Sequence, residues 1–220
     1  VTYHIERITS GTWKEHCYIV SSDDRNALVI DPGAGFAEID AYLISKSLKP
    51  LAIVNTHAHY DHVGSVAPLK EKYQIPFLLH SLDEKLLSQA NFYRNIFGGK
   101  EMIAIPKVDE RLDSRTHAWT FEEFKVEAIF SPGHTLGGVC LQLDDCLFTG
   151  DTLFHGKIGS TLLPGGNRPQ LLASLNRLSR FEPSLKIYPG HGKTSTIGEE
   201  LLHNAEWKAA LQEGNDENQN

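Results

Sequence analysis

The chain has 220 residues, with 28 Asp and Glu against 21 Lys and Arg and a formal net charge of −7. That length suits one domain with a substantial core, or one domain with a short appendage. The acidic balance argues against nucleic acid as a main partner, because phosphate binding wants a basic surface; no apolar run approaches a membrane span, and the N-terminus lacks a signal-peptide pattern.

In chain order, residues 3–8, 16–20 and 27–30 have strand character, and Asp31-Pro32-Gly33 makes a sharp stop. Residues 36–47 place apolar side chains at helical period, and 51–54 is an apolar run that reads as a buried strand. Directly after it stands His57-Ala58-His59-Tyr60-Asp61-His62. A helix follows over 63–73, a strand over 77–79 and a helix over 82–92. The stretch 91–107 is irregular and carries Phe92, Tyr93, Ile96, Phe97 and Gly98-Gly99. Strands return at 124–130, 139–143 and 146–148, then a helix at 170–181, a strand at 186–188 and a closing helix at 197–211. A single domain is expected over 1–212, with a polar, disordered tail at 213–220. Each half gives strands, a helix and a histidine-bearing loop, which suggests two similar sheets packed together with helices outside. Cys17, Cys140 and Cys146 are an odd set without metal spacing. Cys17 and Cys140 read as packed thiols, and the set favours a reducing cytoplasm.

Three imidazoles and a carboxylate within six residues, at the end of a buried strand, are costly to bury unless something charged binds them. Three more candidates sit in Gly-containing turns after strands: His134 in Ser131-Pro132-Gly133-His134-Thr135, Asp151 in Thr149-Gly150-Asp151-Thr152, and His191 in Pro189-Gly190-His191-Gly192. Seven ligands exceed one four-coordinate zinc site. They suit two ions with three protein ligands each and one shared carboxylate, at the ~3.5–4 Å separation of two-metal sites. His4, His16, His80, His117, His155 and His203 lack this context and read as surface or structural histidines, with His203 the first exception to consider.

These residues resemble the metallo-β-lactamase fold superfamily. His57-x-His59-x-Asp61-His62 matches its signature, and His134, Asp151 and His191 match its later ligand motifs in order, from about Tyr3 to His203. The resemblance implies an α/β fold, an αββα sandwich of two mixed β-sheets with helices on the outer faces. It also implies that His57, His59 and His134 hold one metal, that Asp61, His62 and His191 hold the second, and that Asp151 bridges. True β-lactamases of the best-known subclass carry Cys at the position of Asp151, so antibiotic hydrolysis is not favoured. Phe154-x-Gly156-x-Ile158-Gly159, Leu163-Pro164-Gly165-Gly166-Asn167 and Tyr188-Pro189-Gly190-His191-Gly192 look like the short glyoxalase II-like hydrolases, without the helical domain that holds glutathione in the larger enzymes. One segment departs: where relatives carry Arg and Asp, this chain has Ser160 and Leu162.

The implied activity is hydrolysis of a thioester, with S-lactoylglutathione as the model substrate, by a hydroxide held between two zinc ions; iron or manganese are alternative metals. Asp61 is placed to orient that nucleophile as well as to bind metal. A lactonase or esterase, a mononuclear iron persulfide dioxygenase and a non-catalytic metal-binding domain are the rival readings. The expected partners are a small-molecule acyl substrate, no nucleic acid and no membrane, for a monomer or small homo-oligomer. Thr56, Thr135, Asp31 and Thr152 are candidates to hold the imidazoles by their second nitrogens. Phe92, Tyr93, Ile96 and Phe97 read first as helix core and second as an apolar lid. Lys157 and Lys193 read first as solvent-facing and second as contacts for a substrate carboxylate.

Overall fold

The strands between residues 15 and 80 are mostly buried on both faces, whereas the edge strand at 3–10 is half exposed. In the computed structural model, which describes residues 2–99, 101–113 and 117–217, the first half contributes β1 (Tyr3–Ser10), β2 (Glu15–Ser22), β3 (Asn26–Ile30), α1 (Phe36–Ser45), β4 (Lys49–Val54), α2 (Tyr60–Val63), α3 (Val66–Tyr73), β5 (Phe77–His80), α4 (Glu84–Ser88), α5 (Ala90–Ile96) and β6 (Glu110–Leu112). These strands form a mixed sheet in the order β1-β2-β3-β4-β5-β6, antiparallel through β3 and parallel from β3 onward.

The second half contributes β7 (His117–Phe121), β8 (Phe124–Phe130), β9 (Val139–Leu143), β10 (Cys146–Gly150), the small pair β11 (Leu153–Phe154) and β12 (Lys157–Ile158), α6 (Arg168–Leu178), β13 (Lys186–Pro189), β14 (Ser195–Thr196), α7 (Ile197–His203) and α8 (Ala205–Glu217). Its main sheet runs β14-β13-β10-β9-β8-β7, antiparallel except for the parallel pair β10 and β13.

The period of two along each strand sorts side chains into three apolar layers. Tyr18, Val20, Leu28, Ile30, Val54 and Leu78 of the first sheet meet Phe124, Val126, Leu141 and Phe148 of the second. The alternate residues Cys17, Ile19, Val29, Ile53 and Phe77 turn outward to α1 and α3 through Ile39, Leu43, Val66 and Leu69. On the opposite outer face, Ile129, Cys140, Leu147 and Ile187 pack on Leu171, Leu175 and Leu178 of α6, Ile197 of α7 and Trp207 of α8. This is the αββα sandwich expected from the sequence. Cys17, Cys140 and Cys146 are buried free thiols, with burial raising the pKa of each.

The differences lie at breaks. The helix expected over 63–73 is two pieces separated at Gly64-Ser65, and the one over 82–92 is a 3-10 turn at Ser81–Asp83 followed by α4 and α5. The closing helix breaks at Asn204, whose side chain accepts from Trp207 N–H and donates to Phe154 O and Lys157 O, so it serves as a cap and a strap. The tail expected from 213 is helical to Glu217, and Glu213 takes two hydrogen bonds from Arg168; residues 218–220 lie outside the described set. Strands β6, β7, β11, β12 and β14 went unread because each is short or polar. No helix among the described residues is long and apolar enough to cross a membrane.

Trp207 is fully buried and donates its indole N–H to Leu175 O at 3.3 Å, joining α8 to α6. Trp207→Ala is therefore expected to lower stability by about 3–5 kcal/mol, the usual cost of emptying a large aromatic site, read as a shift in the denaturant midpoint. A change below about 1 kcal/mol would show that α8 is not part of the core.

Candidate metal centre

Four strands end at one edge of the sandwich, and each delivers a side chain there. After β4 comes Asn55-Thr56-His57-Ala58-His59, which runs into α2. After β8 comes the turn with His134, after β10 comes Asp151, and after β13 comes His191. Because β10 and β13 are parallel neighbours, with Gly190 N–H donating to Gly150 O at 2.8 Å, Asp151 and His191 emerge side by side. A Cβ on Gly190 would fall 2.2 Å from Asp151 Oδ1 and 2.8 Å from His62 Cε1, so only glycine lets the two strand ends come this close.

All seven candidates converge. One ligand atom from each of His57, His59 and His134 lies within 4.8 Å of the others, and the same holds for Asp61, His62 and His191. His134 Nε2 faces His59 Nδ1 at 2.9 Å, and His62 Nε2 faces His191 Nε2 at 3.3 Å. Asp151 reaches both groups: Oδ1 is 3.5 Å from His62 Nε2, while Oδ2 is 3.6 Å from His134 Nε2 and 3.5 Å from His191 Nε2. Asp61 Oδ2 is 3.4 Å from His191 Nε2 and 3.7 Å from His62 Nε2. The histidine string divides between the groups for a backbone reason. His57 and His59 precede α2 in extended chain, whereas Asp61 and His62 ride on its single turn.

Behind four of the five imidazoles an oxygen faces the outer nitrogen; His59 differs, turning Nδ1 toward His134 and leaving Nε2 without a partner. His57 Nδ1 lies 3.0 Å from Thr56 Oγ1, which itself donates to Asp31 Oδ2 at 2.6 Å. His62 Nδ1 is 3.3 Å from the same Asp31 oxygen. His134 Nδ1 donates to Ser160 O at 2.8 Å and His191 Nδ1 to Trp13 O at 3.0 Å. A proton held on Nδ1 leaves the Nε2 lone pair facing inward, the tautomer a metal ligand needs. Asp31 itself sits at φ 49°, a left-handed conformation that turns β3 toward the site.

Charge divides the donor set. Burial, with His62 second, holds His57 well below the usual imidazole range, and burial with His134 brings His59 to about 4. Burial also opposes charge on His62 and His191, but the carboxylates of Asp61 and Asp151 outweigh it and raise them to about 9 and about 11. Reciprocally, burial disfavours both carboxylates, yet His62 and His191 keep Asp61 below and Asp151 well below the ordinary range.

This donor set fits divalent cations. His57 Nε2, His59 Nε2 and Asp151 Oδ1 are buried without a hydrogen-bond partner, and such groups are costly unless something else pairs with them. Imidazole and carboxylate are ordinary zinc ligands. A third cluster, Asp31 with His57 and His62, also lies within ligand distance, but both oxygens of Asp31 are already engaged by Thr56.

Several supporting residues went unread. Asp83, fully buried, accepts from Ala58 N–H at 3.0 Å, Thr135 Oγ1–H at 2.8 Å and Gly137 N–H at 2.6 Å, so one carboxylate staples the His57–His59 segment to the His134 turn. Nothing in Ser81-Leu82-Asp83 distinguishes it from an ordinary helix cap. His16 is structural, as expected, and holds the His191 turn: its backbone N–H donates to Gly190 O and its Nε2 to Gly192 O, both at 2.8 Å. Asn55 Nδ2 donates to His62 O at 2.8 Å. Of the proposed imidazole supports, Asp31 and Thr56 serve; Thr135 bonds Asp83 instead, and Thr152 bonds Thr149 and Gly159 through its backbone and faces the Cys140 thiol with its side chain.

His203 does not line the site and pairs with Glu199 at 3.7 Å on the exposed end of α7. His80 is buried and stacked on Phe130, His4 pairs with Asp23 on the surface, and the side chain of His117 lies outside the described set. His155, hydrogen-bonded to Glu200 at 2.9 Å, lines the cleft beside the donors. So do Lys157, Tyr93 and Phe97, but not Lys193, Phe92 or Ile96. Ser160 supports the site through its backbone carbonyl, which needs no arginine, and Leu162 is 94% exposed.

Comparison with known proteins places this geometry. The model of the metallo-beta-lactamase superfamily matches residues 11–191. The probable metallo-hydrolase YqgX of Bacillus subtilis is 34% identical over 87% of this chain and 91% of its own length. Hydroxyacylglutathione hydrolase GloC of Haemophilus influenzae is 29% identical over 91% of this chain and 96% of its own. Among solved structures, the BLEG-1 B3 metallo-beta-lactamase superposes with a TM-score of 0.86 at 32% identity, covering 92% of this chain and 98% of that one. TTHA1623 in a di-iron-bound form gives 0.81 at 35% identity, covering 91% and 98%.

Two outcomes are expected. Asp151→Asn removes the charge shared by both groups and should lower zinc retained per chain at both positions; full retention by elemental analysis after gel filtration would contradict a bridging carboxylate. Asp83→Ala leaves the Ala58 and Gly137 N–H groups unpaired and should weaken zinc binding by His57, His59 and His134 about 10–100-fold, as loss of a supporting partner does elsewhere. An unchanged affinity in a chelator competition would remove Asp83 from that role.

Proposed function

The chain belongs to the metallo-beta-lactamase superfamily and is a metal-dependent hydrolase, and on that premise we propose that its substrate is a thioester, the class S-lactoylglutathione represents. His57, His59 and His134 would hold one zinc ion, Asp61, His62 and His191 the second, and Asp151 would stand between them. One observation carries the reading. The donors His59, Asp61, Asp151 and His191 form part of the wall of a cleft whose lining, among the described residues, contains no serine or cysteine. With no serine or cysteine there to take the acyl group, the attacking oxygen in this reading comes from water.

Two divalent cations in such a site supply a water activated near neutral pH and positive charge for the carbonyl oxygen. The chain's own groups do the rest. Asp61, on the cleft wall with its carboxyl held ionised by His62 and His191, accepts a hydrogen bond from the attacking water and aims it. Asp31, through Thr56, and the carbonyls of Ser160 and Trp13 keep the imidazoles from rotating. Trp13, Tyr60, Phe97 and Phe154 exclude bulk water from the reacting carbonyl, which strengthens every charge interaction there. A thiolate leaves without a proton donor in place, whereas an amide nitrogen requires one. The relationship to GloC, named for hydroxyacylglutathione hydrolysis, supports the same class.

The test pairs elemental analysis of protein purified without added metal with a panel of thioesters, lactones and a chromogenic β-lactam. Two zinc ions per chain and release of free thiol are expected. Cleavage of lactones or the β-lactam with no thioester cleaved would overturn the substrate class; one iron per chain with oxygen uptake would overturn hydrolysis.

A further inference from the structure

The cleft beside the donors encloses about 570 Å³, ordinary for a small-molecule site, but its wall is unusually apolar for a tripeptide conjugate. Trp13 comes from the β1–β2 turn, Phe97 from the end of α5, Phe154 from β11, and Leu163 and Pro164 from the loop before α6. Phe97 stacks on Tyr60 with ring centroids 6.0 Å apart and meets Trp13 edge to face at 6.4 Å. Tyr60 packs on the core, but Trp13 and Phe97 do not belong to it, since they are 53% and 43% exposed. Large apolar side chains gathered in partial exposure at a cavity are where an apolar ligand gains most. The exposed Leu162 beside Leu163 extends the same character along the loop.

Charge is scarce by comparison. Apart from the donors, the cleft offers Lys157 and the His155 imidazole, the latter already bonded to Glu200. Arg94 lies not on the cleft wall but on an adjoining pocket of about 150 Å³, behind Trp13, Tyr60 and Phe97, together with Glu15. Glutathione carries two carboxylates and an ammonium at neutral pH. One lysine leaves most of that charge desolvated without partners, which is unfavourable.

We infer that the substrate is a thioester of a bulky apolar acid, aliphatic or aryl, on a thiol without clustered charges, and that Phe97 and Trp13 select its acyl chain. The inference rests on the thioester reading above. In the reaction the oxygen of water bonds to the acyl carbon, the C–S bond breaks with its electron pair remaining on sulfur, and sulfur takes up a proton. A carboxylate and a free thiol result, and no oxidant or reductant is needed.

Acetyl, octanoyl and phenylacetyl thioesters of one neutral thiol, N-acetylcysteamine, are assayed beside S-lactoylglutathione with the zinc-loaded chain, following free thiol. The octanoyl and phenylacetyl compounds are expected to exceed acetyl in kcat/KM on the order of tenfold or more, since methylenes in a fitted pocket discriminate at about that level, and S-lactoylglutathione should fall below both. Phe97→Ala and Trp13→Ala, at partly exposed positions, should each shrink the octanoyl-to-acetyl ratio. Equal rates for acetyl and octanoyl, a ratio unmoved in both variants, or S-lactoylglutathione as the best substrate would overturn the inference while leaving thioester hydrolysis standing. No cleavage of any thioester would overturn both.

Discussion

Five imidazoles and two carboxylates packed within a few ångströms, most of them away from water, are a configuration that a folded chain cannot hold for free. Their mutual orientation depends on partners behind them. Asp31 holds Thr56 and faces His62, the Ser160 and Trp13 carbonyls take the outer protons of His134 and His191, and Asp83 ties two of the ligand-bearing segments together. Those partners come from β3, from the β1–β2 turn, from the loop before α6 and from the start of α4. The donor cluster therefore draws on the whole sandwich, and the sandwich is shaped to present it.

The shaping is visible in how the strands end. Parallel neighbours, β3 with β4 in one sheet and β10 with β13 in the other, terminate together and at the same edge. Their loops start from backbone that is already fixed by two sheets and three apolar layers. Glycine enters where that arrangement leaves no room for a side chain, at Gly190 against Asp151 and His62, and at Gly150, where a φ of 49° disfavours a Cβ and the contact with Thr56 leaves no space for one. Rigid elements carrying short loops are a general way to hold reacting groups to within fractions of an ångström.

Around this shared centre the chain is individual. Ser160 and Leu162 stand where an Arg and an Asp were expected, yet the loop still supports His134, because the bond is made by a backbone carbonyl that any residue supplies. The side chains on that loop are thereby released from supporting the metal centre. Leu163 and Pro164 face the cleft, and Trp13 and Phe97 face it from other elements. What the centre demands is satisfied mostly by main chain and buried carboxylates, and what the substrate demands is left to side chains that can change without disturbing it.

The sequence by itself determined the layers and the donors. Because burial is read one residue at a time, period-two and period-three-to-four patterns sorted most of the apolar residues, though not the exposed Phe92 and Ile96, and the His-x-His-x-Asp-His string with its three Gly-bearing strand ends identified all seven converging side chains. It missed β6, β7 and the small strands, where two to five residues of mixed polarity gain strand form only from a neighbouring strand. It also missed Asp83, His16 and Asn55 as supports of the site, placed Thr135 on the wrong partner, and read Phe97 first as core rather than cleft wall, whereas Tyr93 both packs on the core and lines the cleft. Only the tertiary structure could decide these, since a hydrogen bond between segments 25 to 176 residues apart leaves no local pattern, and which face of a short helix looks into a cavity depends on what the rest of the chain has packed against the other.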